Sequence, residues 1–201
     1  MTEQRPIIRQ AEPVDAEWIS CFLCDRWHAT TMAVHGELID AAGLPALMHE
    51  NRQGLATYRW HGDDAELVSL NAVPAGVGIG TALIEALSTK LRAEGCARLW
   101  LTMTNANLPA LRFYLRRGFR LMQVRLGAVD EARKLKPSIP TVGEYGIPMH
   151  DELDLCRVLD PSRHASLLPP CSRFTSQPGS SSRRATQLYD RRARKTQPRT
   201  D

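Results

Sequence analysis

Apolar residues along the first 125 positions fall into blocks whose spacing alternates between that of a strand and that of a helix. Residues 67–73 form an apolar run that predicts a buried strand, and residues 98–104 form another. Between them, apolar side chains recur at the spacing of one helix face: Ala82, Leu83, Ala86, Leu87 and Leu91. A short helix over 108–117 and a strand over 119–125 follow. This alternation predicts an α/β (α+β) domain.

The first sixty residues carry a weaker pattern. Residues 7–8 predict an edge strand, followed by a helix that runs to about His28. Residues 33–36 and 45–49 are compatible with short strands, and 54–60 with a better defined one.

Beyond residue 125 the pattern predicts a helix over 128–135. Two proline-containing turns within 136–148 indicate an ordered loop without regular structure. Residues 151–155 alternate charged and apolar side chains, as a last edge strand or a short helix would.

A glycine-rich turn over residues 73–81 lies between the first buried strand and the helix that follows it. Gly76, Gly78 and Gly80 lack the side chains that would keep the backbone away from a ligand. The first amides of a helix have no partner within it, and the positive end of the helix dipole lies beside them. The turn therefore predicts a phosphate or pyrophosphate site.

Two nucleotide-binding motifs also place glycines between a strand and a helix. A Walker A loop needs Lys and then Ser or Thr after its last glycine, but Gly80 is followed by Thr81 and Ala82. A dinucleotide fingerprint needs Gly-x-Gly-x-x-Gly, whereas the spacing here is Gly-x-Gly-x-Gly. The first motif is excluded, and the second fits poorly.

The next segment adds specificity, because Asn105-Ala-Asn107 ends the second strand and the run Ala110-Leu-Arg-Phe-Tyr114, followed by Gly118-Phe119, comes after it. In this order of motifs the chain resembles the GNAT superfamily of acyl-CoA N-acyltransferases, closely over residues 64–125. The resemblance implies a single domain with a mixed central sheet, splayed at a bulge and flanked by helices. The pantetheine arm of acetyl-CoA would lie between the splayed strands, bonded like an added strand.

The resemblance also assigns cofactor contacts by position. It implies backbone contacts to the arm from Ala72 and Val73, and places Asn107 beside it. It implies that the pyrophosphate is held by backbone at Val77, Gly78, Gly80 and Thr81. The family often has Arg or Gln where this chain has Ala75. Phosphate binding would then depend on amides alone.

Amine acylation needs a base for the amine proton, donors for the oxyanion and a proton for the departing thiolate. Tyr114 matches the family's general acid, and the alternative is that it only packs like Leu111 and Phe113. Glu66, at the start of the strand before the glycine turn, is the candidate base, acting directly or through water; the alternative is a solvated residue at a strand end. An amide near residues 70–72 would bind the oxyanion.

The cysteines and histidines give no metal site. Cys21 and Cys24 form a Cys-x-x-Cys, but they lie in an amphipathic helix and no second ligand pair accompanies them, so buried or half-buried thiols are expected. The 6 histidines show no regular metal spacing.

Composition changes after residue 156. Residues 157–201 hold 10 basic and 3 acidic residues, against 16 basic and 19 acidic residues before them. This Ser-, Pro- and Arg-rich segment is expected to be a disordered tail beyond an acetyltransferase domain over 1–156. Such a tail can bind nucleic acid in a salt-sensitive way, although a solvated extension is favoured.

The sequence thus predicts an N-acetyltransferase that moves an acetyl group from acetyl-CoA to an amine of a small molecule or peptide. A catalytically silent acyl-CoA-binding module and a nucleotide- or nucleic-acid-binding protein acting through the tail are the alternatives. With neither a membrane-length apolar run nor a signal-like start, a cytoplasmic protein without a membrane partner is expected. The acceptor, and whether the chain forms a homodimer, are left open.

Overall fold

The computed structural model describes residues 6–162, and their core is a seven-stranded mixed sheet. The strands are β1 (Ile8–Gln10), β4 (Ala46–His49), β5 (Gly54–His61), β6 (Asp64–Ala72), β7 (Arg98–Thr104), β8 (Arg120–Arg125) and β9 (Glu152–Val158). Their order is β1-β4-β5-β6-β7-β9-β8, and a separate hairpin joins β2 (Thr31–Val34) to β3 (Glu37–Asp40). The helices are α1 (Ala16–Trp27), α2 (Ile79–Ala93), α3 (Leu108–Leu115) and α4 (Ala128–Leu135).

Successive strand residues point to opposite faces of the sheet, and each face has its own core. On one face, Leu47, Ala56 and Leu67 pack with α2 and α3 residues such as Leu83 and Tyr114. On the other face, side chains of β4 and β5 pack with α1 and with Met32 of the β2–β3 hairpin. The sheet thus separates a helix side, formed by α2 and α3, from a hairpin side, formed by α1 and the β2–β3 hairpin.

Most of the predicted elements are present. The strand at residues 7–8, the helix ending near His28 and the helix over 128–135 correspond to β1, α1 and α4. The strand β3 was not predicted, because its four residues, Glu-Leu-Ile-Asp, do not alternate and are too few to give a periodic signal.

The last strand corrects two predictions. β9 is not an edge strand, since it lies between β7 and β8 and pairs with β7 along its whole length from Arg98 to Thr104. β9 also continues to Val158, and Leu159 is buried and donates its N–H to the Ala97 carbonyl. The folded unit therefore extends past the predicted boundary at residue 156. The predicted disordered tail lies for the most part outside the described residues.

Cys21 and Cys24 were expected to be at least half-buried, but both are exposed on α1. Cys96 and Cys156 are buried, and burial raises the pKa of each thiol to about 11. No helix within residues 6–162 is long and apolar enough to span a membrane.

Candidate active site

The central feature of the site is a gap between the parallel strands β6 and β7. These strands pair at three positions only, of which Glu66 opposite Trp100 is the last. β6 then continues to Ala72 and β7 to Thr104 without pairing to each other. The two strands therefore splay apart in the direction of the glycine turn, as the family resemblance implied.

The hydrogen-bond pattern of β6 identifies the main-chain groups that face the gap. The Val73 N–H donates to the Gln53 carbonyl at 2.8 Å on the β5 side. Because hydrogen-bonded and non-hydrogen-bonded pairs alternate along an antiparallel ladder, Leu70 and Ala72 direct their N–H and C=O groups away from β5. Ala72, for which the resemblance implies a contact to the arm, thus directs its main-chain groups into the gap, whereas the Val73 N–H is bonded to Gln53.

A bulge lies in β6 beside the opening. Thr57 of β5 is opposite Ser69 and Tyr58 is opposite Leu67, so that Val68 is the extra residue. A bulge bends its strand and increases the local twist. This distortion accounts for the departure of β6 from β7 directly after Glu66.

The glycine turn connects β6 to α2 at the wide end of the gap. Gly76 and Gly78 have φ values of +86° and +88°, a conformation that favours glycine, and Gly78 is the N-cap residue of α2 without a side-chain cap. A Cβ atom on Gly80 would lie 3.2 Å from the Phe113 ring of α3. The turn therefore exposes uncapped amides at the start of α2, where Val77, Gly78, Gly80 and Thr81 were expected to bind a pyrophosphate.

Arg117, which was not predicted as a site residue, lies at this turn. Arg117 donates from Nε to Thr81 Oγ1 at 3.1 Å and from a terminal nitrogen to the Phe113 carbonyl at 2.7 Å. Its guanidinium lies 3.5 Å from the centre of the Phe113 ring. A positive charge from the segment that follows α3 thus sits at the first turn of α2, although the glycine turn itself has Ala75 where the family often has Arg or Gln.

The helix α3 carries two of the predicted residues. Asn107 is its N-cap and accepts a hydrogen bond from the Ala110 N–H at 3.1 Å. Tyr114 is buried on the helix side of the sheet, with its ring edge-on to Phe113 and Phe119. Burial raises the pKa of the Tyr114 phenol above its ordinary value. The phenol therefore stays protonated and suits a proton donor, not a base.

Glu66 lies on the hairpin side and is 1% exposed, so the alternative of a solvated strand end is wrong. Its Oε2 accepts from Arg59 Nε at 2.6 Å and lies 3.1 Å from His61 Nε2. The His61 side chain is 40% exposed and connects this buried carboxylate to solvent.

A second group of polar side chains lies farther along β7 on the same face. His35, from the turn between β2 and β3, stacks on Trp100 with a ring-centre distance of 5.6 Å. His35 Nε2 lies 2.9 Å from both Asp154 Oδ1 and Thr102 Oγ1, and the hydroxyl donates to the same carboxylate oxygen at 2.8 Å. Arg125 of β8 contacts the other oxygen of Asp154 at 2.8 Å.

No local pattern in the sequence indicates this group, since His35 and Asp154 are 119 positions apart. The charged residues of 151–155 did alternate with apolar ones, which indicated a strand with one polar face. Only the insertion of β9 beside β7 brings that face to the gap. Within residues 6–162 there is no group of three or more His, Cys, Asp or Glu side chains that could hold a metal ion.

Comparison with known proteins agrees with this geometry. The sequence model described as the acetyltransferase (GNAT) family matches residues 47–119. The chain is 35% identical over 143 residues to the uncharacterized protein YdhI of Bacillus subtilis. This alignment covers 69% of this chain and 89% of YdhI. The chain belongs to the GNAT family of acetyltransferases.

Two solved structures share the fold. A Bacillus subtilis acetyltransferase in complex with CoA superposes with a TM-score of 0.55 at 14% identity, over 77% of this chain and 99% of that one. A GNAT family acetyltransferase from Elizabethkingia anophelis with acetyl-CoA bound gives a TM-score of 0.53 at 17% identity, over 77% and 99%. Family membership implies an acetyltransferase that depends on an acyl-CoA and acts on a small-molecule or peptide acceptor.

Proposed function

We propose that this protein is an N-acetyltransferase that transfers the acetyl group of acetyl-CoA to a primary amine. The observation that carries the proposal is the gap between β6 and β7, which widens from Glu66 and Trp100 toward the uncapped start of α2. This arrangement offers main-chain donors and acceptors to the amides of a pantetheine arm and helix amides to its diphosphate.

The residues around the gap fit such a cosubstrate. Leu70 and Ala72 face the gap with their main-chain groups, and the absence of a side chain at Gly78 leaves open space through which the diphosphate can approach the amides of α2. The absence of a side chain at Gly80 lets Phe113 of α3 pack against the turn. Arg117, through its place at Thr81, supplies the positive charge that Ala75 does not. A charge-assisted hydrogen bond to phosphate is stronger than one from a neutral amide.

Two protons have to move during the reaction. As the amine nitrogen bonds to the acetyl carbon, the carbon–sulfur bond breaks, and Tyr114 gives its phenolic proton to the leaving sulfur. The amine proton passes to Glu66 through His61, whose ring links the buried carboxylate to the open face. A gap-facing amide near Leu70 stabilises the developing oxyanion.

Isothermal titration calorimetry with acetyl-CoA, CoA, NAD and ATP tests the cosubstrate. Binding of acetyl-CoA and CoA with clearly weaker binding of NAD and ATP is expected, and the reverse preference contradicts the proposal. Release of free CoA in the presence of a panel of amines then tests the transfer. Binding of acetyl-CoA without release for any amine would indicate a silent acyl-CoA-binding module.

We also propose that the folded unit without the basic tail is sufficient for this activity. A chain ending at residue 162 should retain turnover and acetyl-CoA affinity, because all the groups named above lie within it. Loss of acetyl-CoA binding on truncation would show that the tail contributes to the site.

A further inference from the structure

Glu152, the first residue of β9, is a buried carboxylate that the mechanism above does not use. The residue is 4% exposed, and its Oε2 atom is buried without a hydrogen-bond partner. His35 Nε2 lies 3.7 Å from that oxygen, beyond hydrogen-bond distance. Burial raises the pKa of Glu152, and the neighbouring His35 opposes this shift.

The charged groups around Glu152 do not satisfy this oxygen. His35 Nε2 is closer to Asp154, at 2.9 Å, and Arg125 is engaged with the same aspartate. A buried carboxylate oxygen without a partner lowers the stability of the fold, and such an oxygen therefore points to a donor that arrives with a ligand.

Glu152 lies beside the wide part of the gap between β6 and β7. Glu152 is paired with Thr104, at the end of β7 that borders the wide part of the gap. The gap starts after the pair Glu66–Trp100, and the bulge at Val68 lies two residues further along β6, so the gap opens beside Thr102 of β7. The step from Thr102 to Thr104 spans about 7 Å along a strand.

We propose that Glu152 binds a second, protonated amino group of the acceptor, which makes the acceptor a linear diamine or polyamine. This inference rests on the proposed function and specifies its substrate class. One amino group lies at the gap beside Thr102 and reacts as the neutral amine. The other stays charged and donates to Glu152 Oε2, so the distance between the two nitrogens is that of a short carbon chain.

Access to Glu152 passes the hairpin turn. His35 and Gly36 form the turn between β2 and β3, and the imidazole of His35 covers Glu152 and Asp154. Because Glu152 is only 4% exposed, binding of the ammonium group requires a displacement of this turn.

The test compares spermidine and 1,4-diaminobutane with butylamine, which has a single amino group. The wild-type chain should acetylate spermidine and 1,4-diaminobutane with a kcat/KM at least roughly 30-fold above that for butylamine. Only these two amines carry a second ammonium group that can form a buried charge pair with Glu152. The Glu152→Gln variant should lose most of this preference while its turnover of butylamine and its affinity for CoA stay unchanged.

A binding measurement separates this inference from the proposed function. Spermidine should raise the melting temperature of the wild-type chain with CoA bound, and Glu152→Gln should abolish the rise without lowering the melting temperature of the unliganded protein. The control is Glu131→Gln, an exposed carboxylate on α4.

The inference is overturned if spermidine gives no shift in the wild type, if butylamine is used equally well, or if Glu152→Gln lowers turnover of all three amines alike. Failure of acetyl-CoA to bind the wild-type chain would instead contradict the proposed function.

Discussion

The two sides of the gap are built from different parts of the chain. The helix side uses main-chain atoms and glycines from the continuous stretch between Ala72 and Thr81, together with α3. The hairpin side uses charged and aromatic side chains from five separate strands and one turn, including His35, Trp100 and Asp154. A diphosphate and a pantetheine amide present the same atoms in every acyl-CoA, so backbone suffices for them. An acceptor differs between enzymes and needs side chains.

The largest expected effect concerns Tyr114 of α3, whose phenol is buried on the helix side. Tyr114→Phe should lower kcat by roughly 10²- to 10⁴-fold while the Kd for CoA is unchanged, since only the proton for the leaving thiolate is lost. Because burial raises the pKa of Tyr114, the acid form persists at alkaline pH, and wild-type kcat should not decline up to about pH 10 through loss of this proton. Steady-state kinetics across pH and calorimetry check both statements. Unchanged turnover in the variant would leave Tyr114 a packing residue.

The second prediction concerns the hairpin side alone. Glu66→Gln should lower kcat by roughly 10²-fold with little change in CoA affinity, because the carboxylate takes the amine proton. Glu66 is also paired with Arg59, so the substitution removes a buried ion pair and lowers the melting temperature.

His61→Ala separates these two effects, since it leaves the pair between Glu66 and Arg59 in place. This variant should lower kcat while the melting temperature stays near that of the wild type. Glu94→Gln, at the exposed end of α2, is the matched control for Glu66→Gln. Full activity in His61→Ala would show that the amine proton leaves by another path.

The third prediction concerns the helix side. Arg117→Met should weaken CoA binding by roughly 10-fold, because a charge-assisted hydrogen bond to phosphate is lost, and the salt dependence of binding should decrease with it. The matched control is Arg116→Met, an exposed residue at the end of the same helix. Calorimetry at two ionic strengths measures both quantities. If Arg117→Met and Arg116→Met weaken CoA binding equally, Arg117 contributes only general positive charge and no specific hydrogen bond to phosphate.

The same contrast explains how much of the site the sequence predicted. Gly78 and Gly80 were found because a backbone requirement leaves a local signature: one residue needs a positive φ and the other lies against Phe113. Arg117 was missed although it directly precedes Gly118-Phe119 of the second motif, since only the packing of α3 on α2 brings it to Thr81. Glu152 was missed, and the sequence could not place His35, because the insertion of β9 between β7 and β8 and the β2–β3 hairpin are tertiary events without a sequence period.

The smallest expected effect uses the one position where the glycine turn departs from its family. Ala75→Arg returns a cation to the turn, and it should tighten CoA binding by roughly two- to five-fold, as an exposed charge pair does. If Arg117 fulfils the role that Ala75 leaves vacant, the gain from Ala75→Arg should be larger in the Arg117→Met background than in the wild type. Calorimetry on the four chains of this double-mutant cycle measures the difference. Strictly additive effects would mean that the two positions serve separate parts of the cosubstrate, and that Arg117 does not replace the missing residue.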